Sequence, residues 1–353
     1  MIIDAHSHIS APVDLAAYKA GLLASRGSHG RGGVKISDEA MMVALQGEMA
    51  GASFGLGHLP YMDLLHHDMH AISPRPFQMM HSEKPSIIVQ WFHEEVNNAI
   101  HQQTVMLPDH FFGVAGLPQP CGEPLDMAIA ELERCVNELG MRGCLINPDP
   151  YENNGTKAPP MGDRYWYPLY EKLGELDVPG HIHGVGSRAV EREPYTLHFI
   201  NEETTAVFGL CNSDVYKDFP DLKIIVSHGG GAMPYQVGRF EAPTLRAKAR
   251  NPEVLLFSER MQKLYYDTTL YTQKAVELLI DVVGVDQCLL GSECPGTGSV
   301  DNPATGRKHD DVVSHINEID WLSDEDRDKL FYKNAIKVFG LKNVKSRLDK
   351  AAE

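Results

Sequence analysis

A rhythm in the sequence constrains the fold more than any other feature. Eight short β-rich runs punctuate the chain: Ile2 to Ile9, His67 to Ser73, Phe111 to Leu117, Arg142 to Asn147, Val178 to His183, Leu222 to His228, Leu264 to Thr268 and Gln287 to Glu293. Between them, Glu123 to Leu139, Tyr167 to Leu176, Thr204 to Phe219 and Thr272 to Val283 carry apolar residues at spacings of three and four, the mark of helices with one buried face. Strands separated by helices pair in parallel, because each helix carries the chain back to the same end of the sheet. The pattern predicts an α/β (β/α)8 barrel, a TIM barrel, and 353 residues suit a single such domain over 1–353. The second run is the most diluted, by His and Asp.

Two stretches break the rhythm. Gly27 to Gly33 is glycine-rich and basic, yet no strand precedes it at the distance a phosphate cradle needs, so a mobile loop near 24–36 is expected. Gly296 to Asp311 follows the last run, and a polar loop near 296–311 is expected to overhang the barrel mouth.

Composition excludes some partners. A formal net charge of −16 repels nucleic acid and anionic membranes. The N-terminus has no basic and apolar leader pattern, and no apolar run approaches the ~20 residues that span a bilayer, so a cytoplasmic protein is expected. Its six cysteines form no C-x-x-C pair and are read as reduced thiols.

Polar side chains gather where strands end, which in a TIM barrel is the active face. In His6-Ser7-His8 the two imidazoles are two residues apart on a strand and project to one side. Such a pair arises by chance in satisfied core histidines. Here three later strands also end in metal-type side chains, His183, His228 and Glu293. Nitrogen and oxygen donors with one open position suit zinc. His181, two residues before His183, competes with it as a ligand.

Four segments resemble the amidohydrolase superfamily, in the branch that contains aminocarboxymuconate semialdehyde decarboxylase. They are Asp4-Ala5-His6-Ser7-His8, Val178-Pro179-Gly180-His181-Ile182-His183, Ile225-Val226-Ser227-His228-Gly229-Gly230-Gly231 and Leu290-Gly291-Ser292-Glu293. The resemblance implies an amidohydrolase-type barrel with inserted loops over its C-terminal face. It implies one divalent metal, zinc with manganese as second choice, on His6, His8, His183 and Glu293, and His228 as a catalytic group beside it. His183 is preferred to His181 because it aligns with the final Ile-His of the family segment. Decarboxylases of this branch carry Asp on the eighth strand, whereas this chain has Ser292-Glu293-Cys294-Pro295. Glu at that place, with Cys144-Leu145-Ile146-Asn147-Pro148-Asp149-Pro150, Asp163-Arg164-Tyr165-Trp166-Tyr167-Pro168, Asn201-Glu202-Glu203-Thr204-Thr205 and Pro234-Tyr235-Gln236-Val237-Gly238-Arg239-Phe240, resembles a hydratase subgroup of the branch. The stretch Gly184-Val185-Gly186-Ser187-Arg188 departs from that subgroup.

What the resemblance implies for activity is a hydro-lyase. The expected reaction is reversible addition of water to 4-oxalomesaconate, giving 4-carboxy-4-hydroxy-2-oxoadipate in aromatic catabolism, with Glu293 and His228 handling protons. Decarboxylation of an aromatic or muconate-type acid, and lactone or ester hydrolysis, are the alternatives. A small polycarboxylate calls for cations and amides, and the expected contacts are Arg75, Asn147, Arg188, His198, Asn201 and Arg239. A homo-oligomer, a dimer, is expected. Cys294 lacks a neighbouring base and is read as structural.

Overall fold

A computed structural model describes residues 1–47 and 56–347. The barrel strands are β1 (Ile3–His8), β2 (Met69–Ser73), β3 (Phe111–Gly113 continued by Ala115–Gly116), β4 (Cys144–Ile146), β5 (Gly180–Ile182), β6 (Ile224–Val226), β7 (Tyr265–Asp267) and β8 (Cys288–Leu289). Every neighbouring pair is parallel. At Val114, β3 changes partner: Val114 N–H donates to Ile72 on β2, while Ala115 N–H donates to Gly143 ahead of β4. The ring closes where Ala5 N–H donates to Leu290 C=O at 2.8 Å and Glu293 N–H to His6 C=O at 2.7 Å. The chain is therefore a TIM barrel.

The strand register sets what faces the axis. The β1–β2 pairing shifts between Asp4 and Ser7. Asp4 Oδ1 holds that irregularity by accepting from His6 N–H at 2.9 Å. Ser7 is thereby turned toward His70, its Oγ 2.9 Å from Nδ1, while His6 and His8 face the axis. On β5, His181 pairs laterally with Leu145 and Ile225, which belong to the barrel's apolar interior. His183 is two residues further along, toward the mouth. Glycine is required at Gly291, where a Cβ would lie 2.8 Å from Asp267 and 3.0 Å from His6; only a bare backbone lets β8 pass these side chains.

The remaining elements match the sequence reading with instructive differences. Tyr167–Leu176 is helical as expected, and Gln273–Val283 and Asp126–Asn137 fall within the expected helices. Thr204 to Phe219 is not one helix. A helix begins earlier, at Tyr195 after Pro194, runs to Cys211, and a separate turn covers Val215–Asp218. The break falls where Ser213 Oγ donates to Leu210 C=O and also accepts from Val215 N–H. These side-chain bonds compete with continuation of the helical ladder.

Gly27 to Gly33 is irregular chain after the helix Val13–Ser25. It lies against the helix Ser86–Met106 through Arg31, which pairs with Glu94 and Glu95 at 2.9 Å each. The segment after β8 forms an antiparallel hairpin, Asp301–Asn302 with Arg307–Lys308. Asp310 anchors it by accepting from Tyr61 and Ser299 hydroxyls, both at 2.6 Å. Among the described residues no helix is long and apolar enough to cross a membrane.

The inward apolar layer, Ala71, Phe112, Leu145, Ile225 and Leu289, packs with Val338 and Phe339 of the helix Asn334–Phe339. Phe112 and Phe339 meet edge to face with ring centroids 5.0 Å apart. Phe339→Ala is expected to cost ~3–5 kcal/mol, the usual range for a buried Phe. Denaturant unfolding should show an earlier midpoint with an unchanged slope; a midpoint equal to wild type would contradict this packing.

Candidate metal centre and active site

Four strand ends converge at the barrel mouth. Ligand-type atoms of His6, His183, His228 and Glu293 all lie within 4.8 Å of one another. His8 joins them, its Nε2 3.9 Å from Glu293 Oε1. All five side chains are buried.

Each imidazole is fixed through its Nδ1. That of His6 bonds Asp267 Oδ2 at 2.7 Å, that of His8 bonds Ser73 Oγ at 3.0 Å, and that of His183 donates to Gly184 C=O at 2.6 Å. These partners aim the other nitrogen, and a ligating His is held in this way. The Nε2 atoms of His6, His8 and His183 are buried and have no hydrogen-bond partner. Burial pushes His8 down to about 4 and His183 well below its ordinary range. Both rings are neutral at pH 7, the form that binds metal. Three buried, unpartnered nitrogens aimed beside a carboxylate fit a divalent ion.

His228 is held differently. Its Nδ1 lies 2.9 and 3.0 Å from the two Glu203 oxygens, and its Nε2 lies 3.6 Å from Glu293 Oε1. Burial opposes a charge on the ring, but the two carboxylates outweigh it and hold His228 well above the usual histidine range. Burial likewise opposes the Glu293 anion, which His228 and His8 nonetheless keep well below the usual carboxylate range. Glu293 Oε2 accepts from the Tyr271 hydroxyl at 2.9 Å. Phe199 stacks on His228, with planes inclined by 19°.

A cavity of about 280 Å³ opens beside this cluster, lined by His8, Arg75, Phe77, Tyr195, Phe199 and Glu293 among others. Arg75 donates Nε to Ile9 C=O and Nη1 to Pro295 C=O, both at 3.2 Å, while its buried Nη2 has no partner. Asn147 lies beside His183 in a small alcove, and its Nδ2 is also unpartnered.

The other sequence-level candidates lie elsewhere. Arg188 pairs with Glu83 at 2.7 Å and Glu152 at 3.0 Å, and lines a different cavity, which shares Phe77 with the one beside Glu293. His198 and Asn201 both bond Glu193. Arg239 is exposed on the helix Met233–Lys248. His181 Nε2 is engaged by Asp267 at 3.2 Å and Ser227 at 3.0 Å, one pair deeper than the mouth. Cys294 is fully buried, and burial raises its thiol well above the ordinary range.

Sequence reasoning gave no role to Glu203, Ser73 or Tyr271. Glu203 had a usable signal: it shares one helical face with the buried Phe199, Ala206, Val207 and Leu210. An acid on the apolar face of a helix needs a partner inside the protein.

The chain belongs to the amidohydrolase family, whose signature matches residues 3–341. Among curated relatives, the 2-keto-4-carboxy-3-hexenedioate hydratase of Sphingobium is 39% identical over 273 residues, covering 77% of this chain and 78% of that protein. Among solved structures, the 4-oxalomesaconate hydratase of Rhodopseudomonas palustris is 31% identical with a TM-score of 0.81, covering 100% of this chain and 98% of that one. A dihydroxybenzoic acid decarboxylase from Polaromonas, solved with bound manganese, shares the fold at 20% identity, with a TM-score of 0.69 and 97% of each chain covered.

Asp267 is the hub of the buried network, since its Oδ1 also accepts from His228 N–H at 2.9 Å and Thr269 N–H at 3.1 Å. Asp267→Asn is expected to destabilise the fold by ~1–3 kcal/mol or more, the cost of leaving buried donors without their acceptor. Urea unfolding checks it, and a loss below ~1 kcal/mol, the level of an exposed ion pair, would contradict the hub.

Proposed function

We propose that the chain is a divalent-metal-dependent hydro-lyase that adds water to the conjugated double bond of 4-oxalomesaconate, giving 4-carboxy-4-hydroxy-2-oxoadipate. The observation that carries the reading is the pairing of the Glu293 carboxylate with the charged His228 ring, 3.6 Å apart at the edge of a cavity holding an unpartnered arginine nitrogen. An acid and a base held in opposite protonation states are what addition of water across a double bond requires. The two hydratases described above, both related to this chain over most of its length, support water addition as the reaction, and the one named for 4-oxalomesaconate supports the choice of substrate.

His6, His8, His183 and Glu293 would hold the ion, zinc first and manganese second, because three imidazoles and one carboxylate suit zinc. Such an ion supplies Lewis acidity that lowers the pKa of water toward ~7. Glu293 accepts the proton that water gives up as its oxygen bonds to the alkene carbon that bears a carboxylate and the oxoacid side chain. The electron pair of the double bond moves toward the carboxylate on the other alkene carbon. His228 then delivers a proton to that second carbon, and Glu203 keeps its ring oriented and charged. Arg75 Nη2 and Asn147 Nδ2 receive substrate carboxylates, since they are the buried donors left free beside the centre.

Decarboxylation on the same scaffold is the second reading, favoured by the shared fold of the manganese-bound decarboxylase. Incubation with 4-oxalomesaconate separates the two. Loss of the conjugated absorbance without carbon dioxide is expected, and carbon dioxide release would overturn the proposal. Chelation should abolish turnover. Glu293→Gln should lower it ~10²-fold or more, the scale of general acid-base loss. His228→Asn should lower turnover while leaving metal content near wild type; loss of the ion would make His228 a ligand instead. In deuterated water the product should carry deuterium on one face of the carbon beside the new carbinol, whereas label on both faces would remove His228 as donor.

A further inference from the structure

A second group of metal-type side chains stands apart from the cavity beside Glu293. Asp149 follows β4, and His198 and Glu202 are four residues apart on the helix Tyr195–Cys211, so they share a face. One ligand-type atom from each of the three lies within 4.8 Å of the others. Asp149 and Glu202 also line a cavity of about 290 Å³ that shares no residue with the one beside Glu293, leaving room for water.

The nitrogen that points to a ligand is His198 Nε2. His198 is 1% exposed, and this atom has no hydrogen-bond partner. It lies 3.7 Å from Asp149 Oδ2, beyond hydrogen-bonding distance. The opposite nitrogen, Nδ1, is 3.3 Å from Glu193 Oε1. The ring is thus oriented by one carboxylate and aimed between two others, the arrangement of a ligating imidazole. Negative charge is in excess there. Burial, with Asp149, Glu193 and Glu203 nearby, raises Glu202 to about 7.

We propose that Asp149, His198 and Glu202 form a second site for a first-row divalent transition ion, bound through one imidazole nitrogen and two carboxylate oxygens with water completing its shell. Mixed imidazole and carboxylate donors suit manganese or zinc better than calcium or magnesium. Bound there, the ion fastens the segment after β4 to the helix that carries Glu203 and Phe199. The site would thereby set how firmly His228 is held without touching substrate.

Equilibrium dialysis of the purified full-length chain against millimolar Mn2+ alone, with bound metal counted per chain, tests the site. Glu202→Gln is expected to bind one Mn2+ fewer than wild type, with the same circular dichroism. An equal count in the two proteins would overturn the proposal and leave His198 as a partner of Asp149 and Glu193 only. If Glu202→Gln does not fold, Asp149→Asn gives the same comparison, with the same loss of one ion expected and an equal count overturning it.

Discussion

Three imidazole nitrogens buried with nothing to bond govern the mouth of this barrel. A buried polar atom without a partner costs ~1–3 kcal/mol, and here three of them, on His6, His8 and His183, are brought together. Rotation does not relieve them, because each ring is held at Nδ1 by Asp267, Ser73 or the Gly184 carbonyl. Such an arrangement is costly for the bare protein and favourable once an electron-pair acceptor sits among the nitrogens. His228 is the contrast within the cluster. Two carboxylates flank it and favour its charged form.

The backbone is shaped to this end. His228 and Glu293 adopt φ of 49° and 60°, in the left-handed region that residues other than glycine seldom occupy. Such conformations cost ~1–3 kcal/mol each and persist only where the surroundings over-determine them. For Glu293 the constraint is its own N–H, which donates to His6 C=O across the closing seam of the barrel. For His228 it is the bond from its N–H to Asp267 Oδ1. The same aspartate holds His6 through its other oxygen. One carboxylate therefore orients a candidate ligand and the candidate acid together, which ties the geometry of the two roles.

Much of this was legible in the sequence because the informative signals are local. His6-Ser7-His8 announces a shared strand face, and His183, His228 and Glu293 each sit at the end of a β-rich run. The choice of His183 over His181 was also within reach, since two residues along a strand move a side chain one layer deeper, where His181 meets Asp267. What stayed hidden depends on contacts remote in sequence. Nothing near Arg188 in the chain reveals that Glu83 and Glu152 occupy its guanidinium. Nothing near Glu203 names His228 as its partner, although its place on an apolar helix face marks it as unusual. The end of the helix at Cys211 was missed because its apolar periodicity continues to Phe219, while the side-chain bonds of Ser213 interrupt the ladder.

X-ray absorption at the zinc edge, on protein holding one equivalent of zinc per chain, reads the ligand set at the barrel mouth. Nitrogen and oxygen scatterers are expected at ~2.0–2.2 Å, the usual zinc–imidazole and zinc–carboxylate distances, with outer-shell scattering of three imidazoles. A sulfur scatterer at ~2.3 Å, which would bring a cysteine to the metal, or the signature of fewer than three imidazoles, would contradict it.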